Sequence, residues 1–190
     1  MFGIHSLYEI MAKKKNYFEL FVKKTLRYLL KPLSFVPAIA MMYVIFHFSA
    51  QDSTQSGNLS LLVSKYVVLI YNKLFMKGYD NVRLNELIIY IHPYVRKAAH
   101  VTEYLLLAMS VSLPMYVYRF RSFGMTLVTI FFCVAFAGLD EYHQSFVSGR
   151  VADIHDVMID SIGILIGVIV VRIICAIGRK TIFSWFVLDK

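Results

Sequence analysis

The stretch of sequence that decides the fold is GLDEYHQSFVSGRVADIHDVMIDSIGILIG, which runs from Gly138 to Gly167. It begins as the end of an apolar run, becomes strongly polar from Asp140 to Asp160, and then turns apolar again. Helices that face hydrocarbon carry such residues only where the residues pair with one another or line a site. The stretch therefore predicts two membrane helices that meet at a polar end.

Helical periodicity predicts where the side chains of the second helix point. On a helix that starts near residue 156, Asp156 and Asp160 share one face, and the same face continues into two glycines. Small residues four positions apart let helices approach closely, so we expect Gly163 and Gly167 to pack against a neighbouring helix. Ile164 is expected to face elsewhere. The two carboxylates are therefore predicted to point into a helix bundle, at one of its ends.

Composition indicates a membrane domain. The chain has 190 residues, of which 58% are apolar, and its mean hydropathy is +0.62. A helix needs about 20 apolar residues to cross a bilayer, and four runs approach that length. We predict an all-α fold, a four-helix transmembrane bundle whose spans cover about 33–51, 97–118, 124–141 and 156–175.

The segments around this bundle are predicted to be interfacial or cytoplasmic. Residues 1–32 include a basic amphipathic segment that fits a helix lying in the membrane interface, although an ordinary solvated basic tail remains an alternative. The membrane domain covers 33–178, and 179–190 form a cytoplasmic tail.

In the first outer loop, a polar loop at 52–60 is followed by two short interfacial helices at 61–76 and 80–91, and His92-Pro93 is expected to break the chain before the second span.

Charge distribution predicts the orientation. Thirteen of the 20 Lys and Arg residues lie in the N-terminal segment, in the 119–123 turn and in the tail from Arg172. Because cytoplasmic loops carry an excess of Lys and Arg, both termini are predicted to be cytoplasmic and the polar motifs to face outward. The pI near 9.5 therefore reflects membrane topology, and no nucleic-acid partner is expected.

Three polar segments are expected to meet at the outer membrane surface, namely 47–51, 96–104 and 140–160. In the second segment, Arg96, His100 and Glu103 are spaced so that they share one helical face. In the third, Asp140 or Glu141 aligns with Gln144 on the inner stripe of its helix. The sequence thus predicts one polar pocket built from the ends of all four spans.

These segments carry a resemblance to a known family. The matching residues are FSAQ at 48–51, RKAAHVTEY at 96–104, DEYHQSFVSGR at 140–150, Asp156, and GILIG at 163–167. Over about 33–175 the chain resembles the VanZ-like family of bacterial membrane proteins, named for a protein linked to teicoplanin resistance. The resemblance implies a multi-pass protein of the bacterial cytoplasmic membrane, sometimes associated with tolerance to glycopeptides or lipoglycopeptides. It carries no catalytic assignment. At Asp160 the family pattern usually has Asn, so this chain has an additional carboxylate there.

The charges of the predicted pocket do not balance. Arg96, Lys97 and Arg150 face six carboxylates, which cannot all be ionised in a low-dielectric cavity. Asp153 and Glu141 are expected to lie in water. We expect the three cations to bind an anionic, phosphate-bearing envelope lipid or glycolipid precursor. Candidates for orienting them or for moving protons are His100, Glu103, Asp140 and Asp160, and the supporting polar residues are Gln51, Glu141, Gln144 and Asp156.

Other interpretations of the same residues stay open. The ion pairs could simply fasten the helices together, or the chain could be a non-catalytic structural or partner protein of an envelope complex. The spacing from Arg150 through His155 to Asp160 is similar to the lipid phosphatase motif of the PAP2 type, but each spacing differs by one residue and the companion motifs are absent. No tight metal-ligand spacing occurs, so no metal and no cofactor is predicted. His143 and His155 are expected to be surface loop residues. Whether any reaction is catalysed is left open by the sequence.

Overall fold

The protein is all-helical in the computed structural model, which describes residues 17, 21, 22, 24, 25, 28, 29, 31–118 and 123–178. Within these residues there are five helices and no strand: α1 (Val36–Ser49), α2 (Ser53–Leu74), α3 (Asn81–Val117), α4 (Phe123–Gln144) and α5 (Ile154–Gly178). The all-α prediction is confirmed. The predicted N-terminal interfacial helix falls mostly outside the described residues, and the tail 179–190 lies wholly outside them.

Among the described residues, three helices are long and apolar enough to cross a membrane, namely Lys31–Ser49, Phe123–Gln144 and Ile154–Ile177. They coincide with the first, third and fourth predicted spans. The region predicted as the second span forms the second half of α3, where His100 and Glu103 make the sequence more polar. Its passage through the membrane stays a prediction, and so does the four-span bundle.

The first outer loop differs from the prediction at residues 52–60. No polar loop separates the first span from the next helix, because α2 already begins at Ser53. The Asp52 carboxylate caps this helix by accepting the Gln55 backbone N–H at 2.7 Å, which satisfies one of the donors that a helix N-terminus leaves unpaired. The turn residues of this segment therefore belong to the first turns of a 22-residue helix.

The expected break at His92-Pro93 is also wrong, because α3 continues through Pro93 for 37 residues in all. Proline removes one helical hydrogen bond, so other contacts must offset the loss. One such contact joins α3 to α2: the His92 Nε2 atom lies 2.8 Å from Ser60 Oγ and 3.2 Å from the Gly57 carbonyl oxygen. The predicted short helix at 80–91 is thus the first half of α3, packed along α2.

α3 lies at the centre of the fold and packs against each of the other four helices, most extensively against α5. The core between them contains fully or almost fully buried side chains, among them Ile45, Leu107, Cys133, Ile164 and Val168. This apolar core occupies the middle of the bundle, and the buried carboxylates Asp140, Glu141 and Asp160 lie at one end of it.

Two glycines allow the close approach of α5 to α3. A Cβ atom on Gly163 would overlap the carbonyl oxygen of Val101, and one on Gly167 would lie 2.5 Å from the carbonyl oxygen of Leu105. The helices therefore touch backbone to backbone at this face. Ile164, expected to face elsewhere, is instead fully buried, because α5 packs against both α3 and α4.

Candidate functional site

The three polar segments come together at one end of the bundle. The Arg150 Nη2 group donates to the Phe48 carbonyl oxygen at 3.4 Å, which joins the loop before α5 to the end of α1. The Tyr104 hydroxyl donates to Asp140 Oδ2 at 3.3 Å, which joins α3 to α4. Residues far apart in the sequence thus form one cluster of polar side chains.

A cavity of about 400 Å³ opens within this cluster. Its polar wall is formed by side chains from α3, α4 and the loop before α5, with Gln51 at the end of α1. The ionisable and amide residues of that wall are Arg96, His100, Glu103, Asp140, Gln144 and Arg150. Most of the predicted pocket residues therefore share one concave surface, which is the usual shape of a ligand site.

The position of Arg150 depends on the glycine before it. Gly149 has a φ of +74°, a left-handed conformation that glycine adopts without steric cost. A Cβ atom on Gly149 would lie 2.5 Å from Ser53 Oγ, so the backbone of the turn packs directly against the beginning of α2. This tight turn directs the guanidinium back toward the bundle, where its Nη1 group donates to Gln144 Oε1 at 2.6 Å.

A buried hydrogen-bond relay links Arg150 to the interior. Gln144 accepts from Arg150 through its amide oxygen and donates through its amide nitrogen to Asp140 Oδ2 at 3.0 Å. The same carboxylate oxygen accepts from the Tyr104 hydroxyl. Arg150 therefore reaches Asp140 only through an amide, which positions the guanidinium without neutralising it by direct contact.

Neither cation of the cavity has a carboxylate partner among the described residues. Arg96 and Arg150 are half-buried and line the cavity, yet no carboxylate oxygen of the described residues lies within 4.0 Å of either guanidinium. Burial, and next the positive charge of Arg96, lower the pKa of Arg150 from its ordinary value. Two arginines thus repel each other across a partly desolvated space, and an anion bound between them would relieve that repulsion.

Glu141 does not lie in water as expected. It is buried in the last turn of α4, where its Oε1 atom accepts the backbone N–H of Asp153 at 2.6 Å. This hydrogen bond attaches the loop that leads into α5 to the end of α4, which accounts for the burial of the carboxylate.

Asp153 itself is exposed, as expected. Hydrogen bonds from the His155 backbone N–H at 2.9 Å and from the His155 ring at 2.8 Å lower the pKa of Asp153. This pair lies at the protein surface, away from the cavity lining.

The remaining carboxylates have different surroundings. Asp160 is buried, and its Oδ1 atom lies 3.7 Å from His100 Nδ1, which is within ion-pair range but too long for a hydrogen bond. Asp156 is half-buried in the first turn of α5. Neither residue lines the cavity. Glu103 does line it, and no described residue forms a hydrogen bond or ion pair with its carboxylate.

Among the described residues, no group of three or more His, Cys, Asp or Glu is arranged to hold a metal ion.

The comparisons with known proteins identify the family. The model of the VanZ/LLP1 family matches residues 34–175. The chain belongs to the VanZ/LLP1 family. The match covers the whole cavity lining and nearly all of the three described helices that are able to cross a membrane, so this VanZ/LLP1 chain is a membrane protein. Neither the curated proteins nor the solved structures contain a match.

Lys97 and His143 also lie outside the lining of the VanZ/LLP1 cavity. Lys97 follows Arg96 directly but is exposed and does not line the cavity, because consecutive residues of a helix point in different directions. His143, expected in a surface loop, lies in the last turn of α4 and stacks on Phe46 with ring centroids 4.4 Å apart. This stacking joins the ends of α1 and α4, so His143 is part of the helix packing.

The sequence analysis did not identify three residues that form or support the site, namely Tyr104, Ser60 and His92. Tyr104 is fully buried and bonded to Asp140, and its position four residues after His100 would have placed it on the same helix face. The Ser60–His92 contact bridges 32 positions, and no local pattern points to it. The packing of α2 along α3, which creates the contact, also forms one side of the cavity.

Proposed function

We propose that this VanZ/LLP1 protein recognises an anionic, phosphate-bearing envelope lipid or glycolipid precursor in its cavity, with Arg96 and Arg150 binding the phosphate. The observation that carries the proposal is the pair of half-buried guanidinium groups on one cavity wall, neither within ion-pair distance of a described carboxylate. Arginine presents a planar fork of donors that matches phosphate oxygens bidentately. Placing an ionisable residue inside a membrane costs free energy, so such residues usually mark a functional site.

The remaining polar residues of the wall fit contacts beyond the phosphate. Glu103 faces the cavity with its acceptor oxygens unengaged by described residues, and His100 lines the same wall. They would hold hydroxyl groups of a sugar or glycerol headgroup, or move a proton if the bound lipid is modified. Lys97 would act only as a nearby positive charge at the entrance.

The charge distribution supports an outward-facing site. Lys and Arg concentrate in the N-terminal segment, the 119–123 turn and the C-terminal tail, which favours cytoplasmic termini. The cavity would then open to the outer leaflet of the bacterial cytoplasmic membrane. Glycopeptides and lipoglycopeptides act on that side, so recognition of an envelope precursor there offers a route to tolerance of these antibiotics.

Two alternatives receive less support from the same contacts. A cluster that only fastens helices together would be expected to bond Arg150 directly to a carboxylate, whereas its donors go to Gln144 and to a backbone carbonyl. A phosphatase of the PAP2 type would need His155 at the reacting phosphorus, whereas His155 is exposed and paired with Asp153.

The test uses the exposed neighbour of one arginine as a matched control. Purified wild type, Arg96→Gln, Arg150→Gln and Lys97→Gln are equilibrated with equal amounts of phosphatidylglycerol and phosphatidylcholine, and the retained lipid is measured by native mass spectrometry. We expect wild type and Lys97→Gln to prefer phosphatidylglycerol. Each Arg variant should lose at least about tenfold of that preference, the change that 1.4 kcal/mol produces. The proposal fails if the wild type shows no preference, or if all three variants lose it equally.

A further inference from the structure

The cavity has a second wall that is apolar. On α2, Leu59, Val63 and Val67 line it at four-residue spacing, so they form one strip along a single helix face. From α3, Val95 and two alanines, Ala98 and Ala99, line the same cavity. Small side chains on α3 keep a groove open between the two helices.

This apolar groove continues directly from the polar wall. Val95 is followed in the sequence by Arg96, and Leu59 is followed by Ser60, so each side of the groove passes into polar residues of the same cavity. Leu59 and Val67 are separated by eight residues, which corresponds to about 12 Å along α2, or about nine methylene groups of an extended chain. The side chains of the strip are also uncovered, with 51% of Leu59, 42% of Val63 and 47% of Val67 exposed.

We infer that this groove binds a hydrocarbon chain of the same molecule whose phosphate lies on Arg96 and Arg150. The inference rests on the proposed function and specifies its ligand class: an amphiphile with a phosphate headgroup and an acyl or prenyl chain, rather than a free sugar phosphate or inorganic phosphate. A soluble phosphate would satisfy the arginines but leave the apolar strip uncovered. An amphiphile would fill both parts of the cavity, because its phosphate would contact the arginines while its hydrocarbon chain covered the apolar strip.

Chain length is the property that tests the groove. Inorganic phosphate and n-alkyl phosphates of two to twelve carbons are titrated into the full-length protein in amphipol, and Kd is measured by calorimetry. We expect Kd to fall about fourfold for each methylene that enters the groove, the fold-change that follows from about 0.8 kcal/mol per buried methylene. The dependence should level off near nine carbons, where the groove ends.

Two neighbouring substitutions distinguish the groove from general partitioning. Val63→Asn introduces a polar side chain into the strip, whereas Leu62→Asn changes a residue that is 52% exposed and does not line the cavity. Because both positions are exposed, both variants should fold, which their melting temperatures check. We expect Val63→Asn to lose most of the chain-length dependence while its Kd for inorganic phosphate is unchanged, and Leu62→Asn to behave as wild type.

The outcomes separate this inference from the proposed function. If phosphate and all alkyl phosphates bind with the same Kd, the groove assignment is wrong and the arginine site stands. An equal chain-length dependence in both variants would also overturn the groove, because the chain would then partition elsewhere. If neither inorganic phosphate nor any alkyl phosphate binds to wild type, both proposals fail.

Discussion

Replacing Gly163 with alanine tests the helix contact that holds the polar segments of α3 and α5 together. Alanine adds one carbon atom, and that atom would overlap the Val101 carbonyl oxygen and lie 3.1 Å from the Leu105 backbone nitrogen. These neighbours belong to the backbone of α3, so no rotation of a side chain relieves the overlap. The two helices must move apart, which also separates His100 from Asp160.

The magnitude follows from two opposing effects. Helix propensity favours alanine over glycine by about 1 kcal/mol. Overpacking costs about 1–3 kcal/mol, and contact with rigid backbone calls for the upper end of that range. We therefore expect Gly163→Ala to destabilise the protein by about 2 kcal/mol, which lowers Tm by about 4–8 °C for a chain of this size.

Gly138→Ala is the matched control. Gly138 also lies inside a helix that is able to cross a membrane, but no atom lies within 4 Å of a Cβ atom built on it. The same substitution should therefore leave Tm unchanged or raise it slightly. Thermal unfolding in detergent compares the two variants. Equal melting temperatures, or a larger loss for Gly138→Ala, would refute the close contact between α3 and α5.

Three further predictions concern the surroundings of the cavity. Glu141→Ala leaves the Asp153 backbone N–H without its acceptor and should cost about 1–3 kcal/mol, so limited proteolysis should cut the loop before α5 faster than in wild type. Tyr104→Phe removes one buried hydrogen bond and should lower the free energy of unfolding by about 1 kcal/mol; an unchanged Tm would mean that this bond contributes nothing. A cysteine at Ser148 should react with a membrane-impermeant thiol reagent in intact cells while one at Ser122 should not, and the reverse result would place the cavity on the cytoplasmic side.

Periodicity and charge were sufficient to predict much of the bundle. The alternation of apolar runs with polar ends predicted the three described helices that are able to cross a membrane, because length and hydropathy are local properties of a sequence. The spacing of Arg96, His100 and Glu103 indicated a common helix face, and all three line the cavity.

The failures arose where tertiary contacts decide the outcome. Pro93 was expected to end a helix, but packing of α2 along α3 carries the helix through it. Glu141 was expected in water because charged residues near helix ends usually are. It is buried instead, because its carboxylate accepts the Asp153 backbone N–H from the loop before α5. Lys97 was grouped with the arginines by sequence proximity, although the common face of Arg96, His100 and Glu103 already implied that its side chain points in another direction.

The role of Arg150 is tested most directly by measuring stability and phosphate binding on the same variant. Arg150→Met removes a short charged hydrogen bond to Gln144 and a long, weak one to the Phe48 carbonyl, a loss of about 1.5–3 kcal/mol. Breaking a direct buried ion pair would instead cost about 3–5 kcal/mol. Lysine at this position preserves the charge but not the bidentate fork. We predict that ligand-free Arg150→Met stays folded with a modest fall in Tm, and that both Arg150→Met and Arg150→Lys lose phosphate binding. A collapse of stability that Asp140→Asn restores, with phosphate retention following stability alone, would contradict the anion site and leave the cluster as a structural fastening of the helices.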